Sequence, residues 1–330
     1  MLIPFRDAGA TLDAALAGLL AEADTSREIV AVDDGSTDSG PARARTWAAR
    51  DSRVRVLAGA GRGLVAALQL AASHARGDLL ARMDADDVAH PSRLARQREY
   101  LCAHATIAVL GTQVRAFADE GPVGEGLARY VAWQNALITP DEHARERFVE
   151  SPLCHPSIMM RRAAFEAVGG YRALDGPEDY ELFLRFVAAG HALAKLPEVL
   201  LDWRHHARRA TFGDARYGLA KFRTVKAPHL ADTVRAANRA RTVMWGAGPT
   251  GRRLARALAL HGLRFDRFVD IDPAKIGRTA QGAPIGSVDA LDPRTDVVVA
   301  AVGARGARTL IRAELGARGF VEGESYWFAA

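Results

Sequence analysis

The first 90 residues alternate between short apolar runs and segments whose apolar positions recur at helical spacing. Leu12, Leu16, Leu19 and Leu20 follow that spacing and predict a helix over residues 11–23. Apolar runs bounded by turn residues predict strands between such helices. The predicted strands are 2–4, 28–32, 54–57 and 78–83, and the further predicted helices are 41–49 and 64–75. This order predicts an α/β fold, a mostly parallel sheet with helices on both faces.

The middle of the chain, residues 105–175, shows no sustained period. Pro152 and the pair Gly169-Gly170 interrupt it, and such residues mark turns and loops. This region is therefore predicted to be less regular, and the next helix is predicted over residues 178–189.

A second strand–helix pattern begins near Arg241. Its predicted strands are 242–245, 265–270 and 296–302, with a helix from 249 to 261 between the first two. The third strand is almost purely apolar, as expected of a strand buried on both faces. The chain is thus predicted to have three parts, which are a larger α/β domain 1–212, a helical linker 213–238 and a small second α/β domain 239–330.

Composition limits what this pattern can belong to. The 330 residues are 49% apolar and 25% charged, as in ordinary globular proteins, and the length suits two domains. The net charge of +5 comes with 44 basic residues, of which only four are lysines, spread along the whole chain. Such a spread does not predict a nucleic-acid surface, but it suits anionic ligands such as diphosphates or the anionic face of a membrane.

Cysteine usage and hydropathy indicate the expected compartment. Cys102 and Cys154 form neither a zinc spacing nor a disulfide framework, which suits a reducing compartment. No signal peptide is visible, and no apolar run reaches the roughly 18 residues that a membrane helix needs. A cytoplasmic protein is expected, and peripheral contact with the inner face of the membrane stays open.

Because only three residues precede Pro4 in the first strand, the natural start is expected upstream, or this form is expected to be less stable than its relatives.

The segment Asp84-Ala85-Asp86-Asp87 follows the predicted strand 78–83. Residues i and i+2 of a strand point to the same side, so Asp84 and Asp86 can converge at the strand end. Paired carboxylates suit Mg²⁺ or Mn²⁺ bound to a substrate diphosphate. The same residues also suit a solvated acidic turn that caps the next helix, and spacing alone does not separate the two interpretations.

Two further acidic segments allow both a structural and a functional interpretation. Asp33 and Asp34 open a polar turn and can form turn hydrogen bonds, or they can accept hydrogen bonds from a base or a ribose. Glu178 and Asp179 open a predicted helix, where the helix dipole favours acidic residues, or they can supply a general base for a hydroxyl nucleophile. Local sequence favours helix capping for the second pair.

Together these segments resemble family 2 glycosyltransferases of the GT-A fold over roughly residues 1–212. The resemblance is carried by residues 3–7, 32–38, 63–77, 82–87 with 91–94, 155–157, 165–171 and 178–180. Several motifs in order and at family-like distances are more specific than any one of them. Gln69 departs from the pattern, because many relatives have Asn at that position.

The resemblance implies a role for each matching position. The implied donor-binding residues are Pro4, Asp33, Asp34 and Asp84, with the aspartates of the Asp-x-Asp motif holding the metal and the diphosphate. The implied metal ligands are Asp84, Asp86 and His206, the histidine lying in the segment 203–206. Asp179 matches the catalytic base. Arg208 and Arg209 either assist the metal or are solvated surface charges.

The implied reaction is an inverting single displacement. Asp179 takes the proton of an acceptor hydroxyl, and a Mg²⁺ or Mn²⁺ ion stabilises the departing nucleoside diphosphate. The expected donor is a nucleotide sugar, with a UDP-sugar favoured. The expected acceptor is a glycan or a lipid-linked sugar in the assembly of surface polysaccharide or glycolipid.

The motif Gly246-x-Gly248-x-x-Gly251 lies between a predicted strand and a predicted helix, and Asp270 closes the next strand. This is the context that the dinucleotide fingerprint requires, but the loop equally suits a tight turn without a ligand. The segment resembles small Rossmann-like domains of bacterial sugar-modifying enzymes. Because no Tyr-x-x-x-Lys pair accompanies it, weak nucleotide binding without redox chemistry is expected, and a chain ending near residue 238 is expected to keep some transferase activity.

Two other function classes stay open at the level of sequence. One is an NAD-dependent sugar-nucleotide oxidoreductase or epimerase that works through the second domain. The other is a non-catalytic module that binds nucleotide sugars or glycans. Nucleic acid is not expected as a partner, since only the basic pI of about 9.5 supports it.

Overall fold

The structure, a computed structural model, describes residues 1–21, 26–206 and 214–330. It divides into two compact units, of which the first comprises Met1–His143 and Pro152–Ala215 and the second Ala144–Ser151 and Arg216–Ala330. The segment 144–151 thus belongs to the second unit, although the chain on both sides of it belongs to the first. The three-part division by sequence stays a prediction.

Short strands alternate with helices in the first unit, as the apolar pattern predicts. Its strands are β1 (Leu2–Phe5), β2 (Ile29–Asp33), β3 (Val54–Ala58), β4 (Leu79–Ala81), β5 (Val88–Ala89), β6 (Ile107–Phe117), β7 (Met159–Arg161) and β8 (Ala192–Arg204). Its helices are α1 (Leu12–Leu20), α2 (Gly40–Arg50), α3 (Leu64–His74), α4 (Arg93–Ala103), α5 (Glu125–Ala136), α6 (Pro140–Glu146), α7 (Arg162–Ala167) and α8 (Glu178–Ala188). The predicted end of the first helix, at residue 23, lies outside the described residues.

These strands form a mixed sheet. β1, β2 and β3 are parallel neighbours, and a parallel bridge joins Leu2 to Arg82, directly after β4. From β4 the order continues β4-β7-β6-β8-β5, in which β6 and β8 are parallel and the other pairs antiparallel. The predicted α/β class is confirmed.

Alternating side chains of β1 and β2 enter two separate cores. Leu2 and Val30 pack in one buried cluster with side chains of α3 and α8. Ile3 and Ala31 pack in the other cluster with side chains of α1 and α4. Helices therefore cover both faces, and the loops that follow β1, β2 and β4 meet at the carboxyl edge of the sheet, where ligands bind in such folds.

The prediction of a less regular segment over residues 105–175 is wrong for most of that range. β6 alone is an 11-residue strand, and α5 and α6 follow it. The first six residues of β6 are all buried, and its pairing with β8 contains several register shifts. Burial on both faces and these irregularities remove the period of two by which a strand is recognised in a sequence.

The second unit is a parallel α/β sheet with one antiparallel edge hairpin. Its strands are β9 (Arg241–Trp245), β10 (Arg267–Val269), β11 (Thr279–Ala280), β12 (Ala283–Gly286), β13 (Asp296–Ala300) and β14 (Tyr326–Phe328), and its helices are α9 (Leu219–Ala236), α10 (Pro249–Ala259) and α11 (Ala307–Ala317). The strand order is β11-β12-β10-β9-β13-β14. The order reverses direction between β9 and β13, which is the position where Rossmann-type sheets bind ligands.

α9 occupies most of the predicted linker and carries a buried lysine. Nζ of Lys226 donates hydrogen bonds to the carbonyl oxygens of Phe148 (2.6 Å), Val149 (3.2 Å) and Ala329 (3.1 Å). One ammonium group thus holds the segment 144–151 and the end of the chain together. Among the helices in the described ranges, none is both long enough and apolar enough to cross a membrane.

Candidate active site

The turn after β4 brings three carboxylates together. Ligand atoms of Asp84, Asp86 and Asp87 all lie within 4.8 Å of one another, with Asp87 buried and the other two half-buried. Hard oxygen atoms at this separation suit a divalent cation such as Mg²⁺ or Mn²⁺. Sequence reasoning singled out Asp84 and Asp86 as ligands and gave Asp87 no role of its own.

Asp87 anchors the acidic turn to the end of β8. Its Oδ1 accepts a hydrogen bond of 2.8 Å from the backbone N–H of Arg204. In return, Nε of Arg204 donates to the backbone carbonyl of Asp86 at 2.8 Å. These reciprocal bonds fix the turn against a strand that lies more than a hundred residues later in the sequence.

This anchoring places His206 beside the acidic turn. Nε2 of His206 lies 2.8 Å from Oδ2 of Asp86. Nδ1 of the same ring is buried and has no hydrogen-bond partner within the described ranges. The structure therefore places His206 against Asp86, which itself lies beside Asp84. Arg208 and Arg209, proposed to assist the metal, lie outside the described residues.

The proposed nucleoside-binding residues lie at the ends of β1 and β2. Pro4 is buried and pairs in register with Val32. Oδ1 of Asp33 accepts from the backbone N–H of Ser36 at 2.9 Å. Asp34 is almost fully buried, and its Oδ2 accepts from the N–H of Gly63 at 2.9 Å. Asp34 therefore holds the loop before α3, while Asp33 stays half-buried at the strand end.

Two further aspartates, which sequence reasoning missed, join the loops after β1 and β2. Oδ1 of Asp7 accepts from the N–H of Thr37 at 2.7 Å, and Oδ2 of Asp38 accepts from the N–H of Gly9 at 2.6 Å. The hydrogen bond from Thr37 lowers the pKa of Asp7 below its usual value. Asp7 has φ of 50°, a region that Asp tolerates better than most residues. The sequence feature that could have predicted their role is an aspartate in the turn after each of β1 and β2.

Asp179 lies in the first turn of α8 and is half-buried. Burial and the neighbouring carboxylate of Glu178 raise its pKa to about 7, against the opposing effects of the Tyr180 N–H and the Arg82 guanidinium. The hydrogen bond from the Tyr180 N–H measures 2.8 Å. A carboxyl group with a pKa near neutrality can accept a proton during a reaction, as general bases do.

Gln69, the departure from the family pattern, supports the segment that precedes α8. Its Nε2 donates to the backbone carbonyl of Tyr171 at 2.9 Å. The Tyr171 hydroxyl in turn lies 2.8 Å from Nε2 of His155. The longer Gln side chain thus supplies a side-chain amide to the Tyr171 backbone.

The glycine loop of the second unit has three glycines with different surroundings. A Cβ on Gly251 would lie 2.0 Å from the carbonyl oxygen of Gly246, and a Cβ on Gly246 would lie 2.7 Å from that of Ala301. These two glycines therefore permit close packing of loop, helix and strand. A Cβ on Gly248 would meet no atom within 4 Å, so the space beside Gly248 is open at the start of α10.

Asp270 is engaged by its own unit. Its Oδ2 accepts from the N–H of Ala247 at 2.9 Å and from Nζ of Lys275 at 3.1 Å, and its Oδ1 accepts from the N–H of Asp272 at 3.0 Å. Burial alone would raise the pKa of Asp270, but these hydrogen bonds outweigh it and lower the pKa. The carboxylate proposed to hold a ribose hydroxyl thus fixes the glycine loop.

The first unit has the GT-A glycosyltransferase fold. The chain is similar to S. aureus TarS 1-349 in complex with UDP-GlcNAc, with a TM-score of 0.54, 16% identity, and coverage of 78% of this chain and 70% of that one. It is also similar to the mannosyltransferase PcManGT from Pyrobaculum calidifontis in complex with GDP-Man and Mn²⁺, with a TM-score of 0.50, 19% identity, and coverage of 79% and 71%. At these identities the similarity shows the fold.

The sequence places the chain in a family. The model described as Glycosyl transferase family 2 matches residues 1–169, just over half of the chain, and the chain belongs to that family. A second model, described as CoA binding domain, matches residues 238–318.

Two curated relatives show the same family. The putative glycosyltransferase EpsE of Bacillus subtilis (strain 168) is 32% identical over 199 residues, which cover 59% of this chain and 68% of EpsE. The amylovoran biosynthesis glycosyltransferase AmsE of Erwinia amylovora is 33% identical over 178 residues, which cover 54% of this chain and 64% of AmsE. The chain thus spans about two thirds of the length of each.

Proposed function

We propose that this protein is an inverting, metal-dependent glycosyltransferase that moves a sugar from a nucleoside diphosphate donor to a hydroxyl acceptor. The observation that carries the proposal is the cluster of Asp84, Asp86 and Asp87 at a strand end, with His206 in contact with Asp86. A family 2 transferase needs a site for the donor diphosphate, and this edge supplies one between the strand ends.

The side chains at this edge fit a divalent cation by their chemistry. Oxygen ligands from two carboxylates and an imidazole nitrogen suit Mn²⁺ or Mg²⁺, and the remaining positions would be taken by the diphosphate. Asp84, Asp86 and His206 would hold the ion, while Asp87 keeps the turn in place through its bond with Arg204. A bound ion would neutralise the negative charge that develops on the departing nucleoside diphosphate.

Asp179 is the proposed general base. It would take the proton of the acceptor hydroxyl while that oxygen attacks the anomeric carbon, so that one bond forms as the bond to the diphosphate breaks. A pKa raised to about 7 lets the carboxylate hold this proton at neutral pH. Single displacement from the face opposite the leaving group inverts the anomeric configuration.

Pro4, Asp33 and Asp34 are proposed to border the nucleoside pocket. Asp33 offers an accessible carboxylate, whereas Asp34 shapes the pocket by fixing the loop at Gly63. A UDP-sugar is the favoured donor. The relative named for amylovoran biosynthesis and the similar structure with UDP-GlcNAc support a donor of this class and an acceptor that is a glycan or a lipid-linked sugar in polysaccharide assembly. A cytoplasmic location, with peripheral membrane contact, would fit such an acceptor.

A donor screen tests this proposal. The purified full chain is incubated with Mn²⁺ and UDP-, GDP- or TDP-sugars, and release of the nucleoside diphosphate is measured with and without glycan acceptors. We expect release from one donor class, abolished by chelator. Substrate-dependent reduction of NAD would instead support an oxidoreductase, and donor binding without release in the presence of any acceptor would support a binding module.

A further inference from the structure

The end of β4 carries a buried arginine directly beneath the acidic turn. Arg82 is 2% exposed, and its Nη2 lies 2.6 Å from Oδ1 of Asp84. Its backbone is held on both sides, because its N–H donates to the carbonyl of Ile158 at 3.0 Å and its carbonyl accepts from Nη2 of Arg93 at 2.8 Å. The guanidinium therefore has a fixed position.

Within the described part of the chain, two of the three guanidinium nitrogens have no protein partner. Nε and Nη1 of Arg82 are buried and meet no hydrogen-bond acceptor among residues 1–21, 26–206 and 214–330. Burying charged donors without acceptors is costly. The surrounding negative charge, and not hydrogen bonding alone, must therefore stabilise this cation.

The groups that interact with Arg82 belong to two parts of the site, which are the acidic turn with the proposed metal ligands and the start of α8 with the proposed base. Asp84 and Asp87 lie on the acidic turn, and both raise the pKa of Arg82. Arg82 also acts electrostatically on Asp179 at the start of α8. Tyr171, which bonds His155, lies within range of Arg82 as well. One buried cation thus contacts the proposed metal ligand and acts electrostatically on the proposed base.

We propose that Arg82 is a positioning residue that joins the two halves of the active site, holding the Asp84 carboxylate toward the donor diphosphate and supplying the positive charge that faces Asp179. This inference rests on the proposed transferase function. A guanidinium suits the task because it stays charged at every accessible pH and is weakly hydrated, which favours burial.

The charged and titratable groups that act on Asp179 determine how its pKa should change when Arg82 is replaced. Glu178, on the same helix, raises the pKa of Asp179, while the Tyr180 N–H and Arg82 lower it. Burial raises the pKa of the Tyr171 phenol above its usual value, so that group stays neutral and adds no charge. Arg82 is the positive group among these, so its removal should raise the pKa of Asp179.

Arg82→Gln removes the charge and keeps a polar side chain. We expect the acid limb of the kcat–pH profile, where kcat rises with pH, to move to a pH about one unit higher. At a fixed pH below this limb, kcat should then be about tenfold lower than in the wild type. We also expect a higher Mn²⁺ concentration for half-maximal rate, because Asp84 loses its partner. Arg82→Lys keeps the charge, so its acid limb should stay in place. Its Mn²⁺ requirement should rise, because the lysine ammonium ends one bond short of the position from which Nη2 contacts Asp84.

The control is Arg161→Gln. Arg161 donates to the carbonyls of Leu101, His104 and Ile107, none of which belongs to the proposed site. If Arg161→Gln moves the acid limb as Arg82→Gln does, or if the limb of Arg82→Gln does not move, Arg82 is only a packing residue. If Arg82→Gln does not fold, Arg82→Lys tests the inference instead. An acid limb that moves by a full pH unit in Arg82→Lys, or a Mn²⁺ requirement of Arg82→Lys equal to that of the wild type, overturns the inference.

Different results would contradict the proposed transferase function and the proposed role of Arg82. A wild-type chain that transfers no sugar under any donor and metal condition contradicts the transferase function. In that case a ¹³C NMR titration of the aspartate carboxyl carbons, with Asp179→Asn for assignment, still tests Arg82. We expect the Asp179 titration to move upward in Arg82→Gln, and an unmoved titration contradicts the inference without any reference to activity.

Discussion

Nε2 of His206 lies 2.8 Å from Oδ2 of Asp86, although 120 positions separate the two residues in the sequence. The contact exists because β8 ends beside the acidic turn, where Arg204 bonds both Asp86 and Asp87. An imidazole beside a carboxylate at the carboxyl edge of a parallel sheet is an arrangement that a cation can convert from a hydrogen bond into two metal bonds.

Asp86→Ala should abolish sugar transfer, because the diphosphate would lose its counter-ion. Asp84→Ala should weaken donor binding and turnover, and Asp86→Ala should stay folded, since its side chain lies in a turn at a strand end. Steady-state release of the nucleoside diphosphate across a Mn²⁺ titration measures the effect. Asp202→Ala, which removes the half-buried partner of the exposed Arg115, is the matched control. Near-normal turnover of Asp86→Ala in excess chelator would end the metal proposal.

Asp179→Asn preserves size and the hydrogen bond to the helix start but cannot accept a proton. We expect kcat to fall by roughly 10²- to 10⁴-fold with little change in donor affinity. In the wild type the carboxyl must be deprotonated to act, so kcat should rise as pH increases through about 7. This limb should be absent from the residual activity of Asp179→Asn. Asp175→Asn, on the exposed turn before α8, controls for loss of a nearby acid, and transfer at the normal rate by Asp179→Asn would leave that residue as a helix cap.

The second unit should bind a nucleotide or a phosphorylated sugar weakly and should not reduce NAD. The N–H groups at the start of α10 and the open space beside Gly248 favour an anion, whereas Asp270 is already engaged. Calorimetric titration of the full chain with NAD, CoA and UDP-sugars tests this. Gly248 has extended backbone geometry, so Gly248→Val should fill the space without unfolding the loop and remove binding that belongs to this unit. Tight NAD binding with substrate-dependent reduction would make the protein bifunctional.

Lys226→Met should change how the stability of the second unit depends on pH. Burial lowers the pKa of Lys226 to about 8, below the value of about 10.4 expected in the unfolded chain. Between these values the unfolded chain binds more protons, so the free energy of unfolding of the wild type rises with pH across that window. A methionine cannot titrate, and the rise should become smaller in the variant.

Chemical denaturation of the wild type and Lys226→Met at about pH 7.5, 9 and 10.5 measures this difference. Lys221→Met, one and a half turns earlier on the same helix, is the control and should keep the wild-type slope. An equal rise in all three proteins would show that Lys226 does not carry this pH dependence.

Local pattern predicted β1 to β4 and the helices between them, because these strands are short, apolar and bounded by turn residues. It did not predict β6 and β8, whose pairing is shifted at several points and whose burial hides the period of two. The acidic strand ends could be read from the sequence because each follows its strand directly. The contacts of Arg82 with Asp84, and of His206 with Asp86, depend on which strands become neighbours, and no local spacing encodes that.

The segment 144–151 gave no signal in the sequence, yet it belongs to the second unit, where Lys226 holds the carbonyls of Phe148 and Val149. Glu146 of the same segment pairs with Arg308 and Arg312 of α11. A chain ending near residue 238 would lose those arginines, and the segment would keep only part of its partners. We therefore expect such a chain to retain some activity but to unfold at a lower temperature than the full chain.

The polypeptide passes from one unit to the other three times, after His143, after Ser151 and after Ala215. A single peptide-bond cleavage between two linearly joined domains yields two intact fragments, but here every single cleavage leaves one fragment that lacks residues native to its fold. A gene fusion that simply added a module at the end of a transferase would have produced one crossing. The eight-residue exchange in the middle of the chain therefore means that swapping the second unit between relatives would have to carry this inner segment with it.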